Sequence, residues 1–168
     1  TMGEPAGIGG EILLKAWTKR APFDLPAFFA VDDPERLERL ADTLGMKIPV
    51  TAIDAPDDAA SLFGRALPVV PHALGKPVKM GTPDPTNTDA VVGSIRKAVA
   101  FASEGSASAV VTNPIHKAVL YQGGFTSPGH TEFLGELTGV STPPVMMLAC
   151  PGLRVVPVSI HIPLAEAV

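Results

Sequence analysis

Three histidines lie near loop glycines or prolines: His116 in Asn113-Pro114-Ile115-His116-Lys117, His130 in Ser127-Pro128-Gly129-His130-Thr131-Glu132, and His161 in Ile160-His161-Ile162-Pro163. His130 and Thr131 come just before a predicted helix. There an imidazole, a hydroxyl and the first free N–H groups can converge on one phosphate or carboxylate. Plain capping of that helix by Thr131 is the competing reading. His161 ends a predicted strand among Val, Ile and Pro, a background that suits a satisfied core histidine better than a ligand. Three histidines can bind zinc and leave a position open, but these three have no local metal spacing such as H-x-x-x-H. On spacing alone there is no metal site, and His72, between Pro71 and Ala73, reads as a loop residue.

The other chemical candidate is Gly3-Glu4-Pro5-Ala6-Gly7-Ile8-Gly9, with glycines at G-x-x-x-G-x-G and a helix after them. Small residues let a backbone approach an anion closely, and Asp32 at the end of the next strand could hold a ribose hydroxyl, as in dinucleotide folds. A tight strand-to-helix turn explains the same glycines. Glu4 would repel a phosphate and Pro5 offers no N–H to it. A short-chain dehydrogenase needs Tyr followed four residues later by Lys; the only tyrosine is Tyr121, and position 125 is Phe. Cys150 has no basic neighbour to lower its pKa and reads as a structural thiol. Met146 and Met147 read as core filler.

The elements that must carry these residues follow from periodicity and punctuation. A short amphipathic helix is predicted over residues 11–17, a strand over 26–31, a charged helix over 34–44 with Pro34 in its first turn and Gly45 at its end, and a strand over 49–53. Residues 54–66 read as a helical turn and loop, and 67–70 as a weak strand. Residues 88–104 form the clearest helix, with Val91, Val92, Ile95, Ala98, Val99 and Ala102 on one face. A buried strand is predicted over 109–112, broken by Asn113-Pro114, then short helices over 117–121 and 132–137. Strands over 145–150 and 153–160, joined by Pro151-Gly152, predict an antiparallel hairpin. No internal repeat and no interdomain linker is visible.

The composition sets the class. Apolar residues are 46% of the 168, charged residues 18%, and the net charge is −4. That excludes a disordered chain, and a mildly acidic chain has no electrostatic footprint for nucleic acid or an anionic membrane. One cysteine excludes a disulfide framework and a thiolate metal cage. No apolar run approaches the ~20 residues of a membrane span. The reading is a soluble, cytoplasmic globular domain. With 5% aromatics, its core is Val, Leu, Ile, Ala and Met, which suits a parallel sheet under helices.

Taken together, the Gly3–Gly9 loop, Val111-Thr112-Asn113-Pro114-Ile115-His116-Lys117, Gly129-His130-Thr131-Glu132-Phe133-Leu134, Val145-Met146-Met147-Leu148-Ala149 and His161-Ile162-Pro163-Leu164 resemble, in this order, the 4-hydroxythreonine-4-phosphate dehydrogenase family of vitamin B6 biosynthesis. The resemblance covers the N-terminal half of that family. It implies an α/β fold, an α/β/α sandwich of the isocitrate/isopropylmalate dehydrogenase type. It also implies that residues 1–168 are the N-terminal part of a two-subdomain enzyme that works as a homodimer, with each active site drawing on both subunits. The implied reaction is NAD(P)-dependent oxidation of 4-phosphonooxy-L-threonine, followed by decarboxylation to 3-amino-2-oxopropyl phosphate. A divalent metal, zinc or else Mg or Co, polarises the hydroxyl there. By the same resemblance, His130 and Thr131 match the substrate-binding pair and His161 the first of three metal ligands. The remaining ligands, and most cofactor contacts, belong to the second half. His116 and Lys117 match a motif of unassigned role. Position 10 is Gly where the family usually has Pro.

Within the family, paralogues use 4-phospho-threonate, 4-phospho-erythronate or aromatic cis-dihydrodiols. A different class of reading is a non-catalytic fragment that binds an anion or a partner chain. The abrupt start at Thr1 and stop at Val168 set two expectations: the loop lacks its feeding strand, and the end is helical or frayed with apolar side chains exposed. With His161 as the one carried-over metal ligand and the cofactor half in the second part of the family, the chain alone is expected neither to hold zinc tightly nor to turn over substrate.

Overall fold

The computed structural model describes residues 1–159 and 163–166. It divides into two compact units, Thr1–Ser127 and Pro128–Val168.

The first unit is built on three short parallel strands. After helix α1 (Gly9–Thr18) come β1 (Ala30–Asp32), α2 (Pro34–Thr43), β2 (Val50–Ala52), the single turn α3 (Ala59–Leu62), β3 (Leu67–Pro71), α4 (Thr88–Ser103) and α5 (Lys117–Gln122). The sheet order is β1-β3-β2, with Ala30 opposite Val69 and Val50 opposite Leu67. The segment read as a weak strand is therefore the central one. Pro68 is tolerated there because β1 pairs only from Val69 onward, so its missing N–H removes no ladder bond.

Strand alternation sends neighbouring residues to opposite layers. Ala30, Leu67 and Val69 pack with Leu14, Trp17, Leu37 and Leu40 from α1 and α2. Val31 and Val70 pack with Ile53 and Ala59, against Ala98 and Phe101 of α4. Helices thus cover both faces, as the low-aromatic composition implied, and the unit is α/β. Helix α2 starts where expected: Pro34 opens it, and the Asp33 carboxylate accepts the Arg36 N–H at 3.0 Å.

The second unit holds α6 (His130–Thr138), ended by Gly139 in the left-handed region at φ +65°, and the antiparallel pair β4 (Leu148–Cys150) and β5 (Leu153–Val155). Gly152, at φ +81°, makes the connecting turn. The hairpin is as expected but shorter at both outer ends.

Other expectations change. Residues 109–112 form no regular strand, and Val111 is 82% exposed. An apolar run alone does not make a buried strand; it needs neighbours to pair with and layers to cover it. Met147 and Cys150 are exposed and Met146 is only partly buried, so neither core filler nor a buried structural thiol describes this segment. Helix α6 begins at His130, two residues earlier than its apolar period indicated. No helix among the described residues is long and apolar enough to cross a membrane.

Candidate functional site

The glycine-rich segment and the Asn113-Pro114 segment, about 110 residues apart in sequence, lie against each other. Gly3 sits at φ +67°, and a Cβ there would stand 2.7 Å from both the Asn113 Cβ and the Pro114 carbonyl oxygen. A Cβ at Gly9 would stand 3.0 Å from the same Asn113 Cβ. The Glu4 N–H donates to the Pro114 carbonyl at 2.8 Å, and the Asn113 Nδ2 donates to the Thr1 carbonyl at 2.9 Å. The glycines are needed because one stretch of backbone passes against another.

The loop's polar groups are turned inward. Glu4 is 7% exposed, and its Oε1 accepts the Ala6 N–H at 3.0 Å. The Gly7 N–H donates to the Glu4 carbonyl at 3.0 Å, and the Gly81 N–H donates to the Ala6 carbonyl at 2.8 Å. Arg36 Nη1 reaches the Pro5 carbonyl at 3.2 Å. These N–H groups are already spent, so residues 4–7 form a braced turn and not an open phosphate cradle.

Asp32 corrects the dinucleotide alternative. It is fully buried, and its carboxylate is held by Arg36 in a two-pronged ion pair, Nε to Oδ1 at 3.0 Å and Nη2 to Oδ2 at 2.5 Å. Burial pushes its carboxyl above the ordinary range, against the pull of the guanidinium. A carboxylate so enclosed has no edge left for a ribose. Arg36 is the structural residue that sequence reasoning missed, and the Asp-x-x-x-Arg spacing across an Asp-Pro helix start was its available signal. Together Asp32 and Arg36 tie the end of β1 and the start of α2 to the glycine-rich loop.

His116 caps α5. Its Nδ1 accepts the Val119 N–H at 3.4 Å. Lys117 is the exposed first residue of that helix. His72 extends past β3 and its Nε2 meets the Ala90 carbonyl at 2.9 Å, a structural contact.

In the second unit, His130 and Thr131 are the first two residues of α6, and both are partly buried. The cap position is Gly129, and no side chain caps the helix, so Thr131 is not the plain N-cap that the alternative reading required. An uncapped first turn with an imidazole and a hydroxyl beside it suits an anion. His161 lies outside the described residues. Among the described residues no group of three or more His, Cys, Asp or Glu is disposed to hold a metal ion.

A cleft of about 660 Å³ lies between α2 and residues 74–80 and contains none of these histidines. On its walls Glu35 pairs with Arg39, Arg36 with Asp32, and Asp33 accepts the Leu74 N–H at 3.3 Å. A second, of about 360 Å³, runs past Ala6, Lys79, Asp84 and Asn87. Asp84, on its rim, accepts both the N–H and the hydroxyl of Thr86, which holds its carboxyl below the usual range.

A family model described as pyridoxal phosphate biosynthetic protein PdxA matches residues 24–168. Relatives named 4-hydroxythreonine-4-phosphate dehydrogenase include one from Methylorubrum populi, 50% identical over 98% of this chain and 48% of that protein. Another, from Bradyrhizobium diazoefficiens, is 46% identical over 99% and 51%. A crystal structure of a 4-hydroxythreonine-4-phosphate dehydrogenase from Burkholderia phymatum superposes with a TM-score of 0.88 at 31% identity, covering 98% of this chain and 50% of that one. The Klebsiella pneumoniae enzyme gives 0.84 at 30% identity. The chain spans about half the length of the relatives it matches.

Proposed function

Because the chain belongs to the family of pyridoxal phosphate biosynthetic protein PdxA, we propose that it is the N-terminal part of an NAD(P)-dependent 4-hydroxythreonine-4-phosphate dehydrogenase. In this reading the full enzyme oxidises the secondary hydroxyl of 4-phosphonooxy-L-threonine, and the 3-oxo acid then loses CO2. The observation that carries the reading is the 50% identity to a dehydrogenase of that name across 98% of the chain.

His130 and Thr131 are assigned to the substrate. Gly129 stands at the cap of α6 with no side-chain cap, and His130 and Thr131, in the first turn, bring the residue types that bind a phosphate or carboxylate at a helix start. These groups bind and orient the anionic end, so that the hydroxyl is presented in one pose. His161 is assigned as one ligand of a divalent metal. The described residues do not fit a metal by themselves. NAD(P) would supply the hydride acceptor. The braced loop at residues 3–9 supports the scaffold and is not assigned to the cofactor. The active unit is proposed to be a cytoplasmic homodimer, and the 168 residues alone are proposed to be inactive.

The test is steady-state kinetics of the His130→Ala variant in the full-length dehydrogenase. Loss of a hydrogen bond to a charged group costs about 1.5–3 kcal/mol, so KM for 4-phosphonooxy-L-threonine should rise by roughly 10- to 150-fold with a smaller change in kcat. An unchanged kcat/KM would withdraw His130 from the site. No oxidation of this substrate by the wild type would withdraw the activity.

A further inference from the structure

Asn87, at the cap of the 16-residue helix α4, is 4% exposed. Its Oδ1 accepts the Lys76 N–H at 3.2 Å, which fixes the orientation of the amide. Its Nδ2 has no hydrogen-bond partner among the described residues. Buried side-chain polar atoms are bonded in the large majority of cases, and an exception marks a place for a ligand, an ion or water. Asn87 forms part of the wall of the cleft of about 360 Å³, and Nδ2 is the polar atom it has left to offer there.

The rest of the wall sets the charge of the ligand. No side chain caps α4, and the N-terminal end of a long helix carries partial positive charge. Lys79, exposed on the wall, adds an ammonium. The turn that carries it is closed by the Thr82 N–H on the Lys79 carbonyl at 3.0 Å and seated by the Gly81 N–H on the Ala6 carbonyl at 2.8 Å. Lys79 and the Thr82 hydroxyl are therefore presented from a fixed backbone. Asp84 is the acid of this wall; its carboxylate accepts the Thr86 N–H and hydroxyl, and the charge of Lys76 acts on it. Every one of these residues belongs to Thr1–Ser127, so the wall is complete within the first unit.

We propose that this cleft is a binding site for a phosphate group carried by a small molecule, with Asn87 Nδ2 donating to a phosphate oxygen and Lys79 balancing its charge. A tetrahedral oxyanion accepts from several directions at once, which suits an amide, an ammonium and a helix start around one space. The site involves neither His130 nor Thr131. Its test uses no dehydrogenase substrate, so it holds or fails apart from the proposed activity.

The test is an amide NMR titration of the 168-residue chain with inorganic phosphate, at neutral pH and constant ionic strength. Asn87 and Asn113 are the only asparagines, and the Asn113 Nδ2, which donates to the Thr1 carbonyl, is an internal control. The expected result is a saturable shift of the Asn87 side-chain signals, half complete at or below about 10 mM, with those of Asn113 unmoved. Acetate, which offers a planar carboxylate, should bind about fivefold more weakly. Asn87→Asp keeps an acceptor for the Lys76 N–H and a good helix cap but puts an anionic oxygen where the donor was. It should weaken phosphate binding about tenfold or more, read on the backbone amides of residues 87–90, while the urea midpoint read through Trp17 stays at or above that of the wild type. Lys79→Ala, at an exposed position, should weaken binding about threefold, and it decides the matter should Asn87→Asp not fold. Asn87 signals that do not move, or move no more than those of Asn113, would show an amide served by water alone and overturn the proposal. Binding that survives both substitutions, or acetate as effective as phosphate, would overturn it equally.

Discussion

Replacing Gly3 by alanine should unfold the first unit at markedly lower denaturant. Two costs add. The residue sits at φ +67°, and a left-handed conformation costs a non-glycine residue about 1–2 kcal/mol. The new Cβ would also stand 2.7 Å from the Asn113 Cβ and from the Pro114 carbonyl oxygen, the acceptor of the Glu4 N–H. Forcing a packed interior apart costs about 1–3 kcal/mol. The sum is about 2–5 kcal/mol. With m of about 2 kcal/mol/M in urea, the midpoint should fall by about 1–2.5 M at unchanged m. Trp17 is a built-in reporter: it is the single tryptophan, 6% exposed, and its Nε1 donates to the Phe63 carbonyl at 3.0 Å. Gly105→Ala is the control, because Gly105 has φ +82° but nothing within 4 Å of its Cβ position. It should cost only the conformational part, about 1–2 kcal/mol. If Gly3→Ala cost no more than Gly105→Ala, the close approach of the two segments would not be what requires the glycine.

Arg36→Met should destabilise the first unit by about 3–5 kcal/mol, because it strands a buried carboxylate; adding Asp32→Asn should restore more than half of the loss, and additive losses in urea titrations would contradict the ion-pair account. Asp84 has a folded pKa below its ordinary value of 3.8, so its contribution to stability is present above that value and disappears as pH falls through the folded pKa. Unfolding midpoints of wild type and Asp84→Ala should therefore differ at neutral pH and converge in acid; a gap that widens on acidification would reverse the sign argued here.

Much of the candidate site was legible because it is local. His130 and Thr131 were placed at a helix start, and the helix is there, although it begins at His130 itself. The reason for the shift is that an N-terminal turn takes its first residues from the loop, before any apolar period begins. The partner of Asp32 was not legible, because an Asp at the end of a strand looks the same whether it faces a ligand or an arginine one turn into the next helix. The 109–112 segment was misread because Val, Val and Ala state only a preference for burial.

What the sequence determined alone are the features that depend on a few adjacent residues. Asp33-Pro34 starts α2, Pro151-Gly152 turns the hairpin, and the 3.6-residue apolar period marks α4. The free energies involved are side-chain caps, fixed φ values and turn geometry, all satisfied within one or two turns of chain. The tertiary structure decided the sheet order β1-β3-β2, the seat of Asn113 between Gly3 and Gly9, the enclosure of Asp32 by Arg36, and the exposure of the β4–β5 faces. Each of these depends on which distant segment lies opposite. Pairing partners tens of residues apart are chosen by the packing of the whole unit, and no window of sequence contains both sides of that choice.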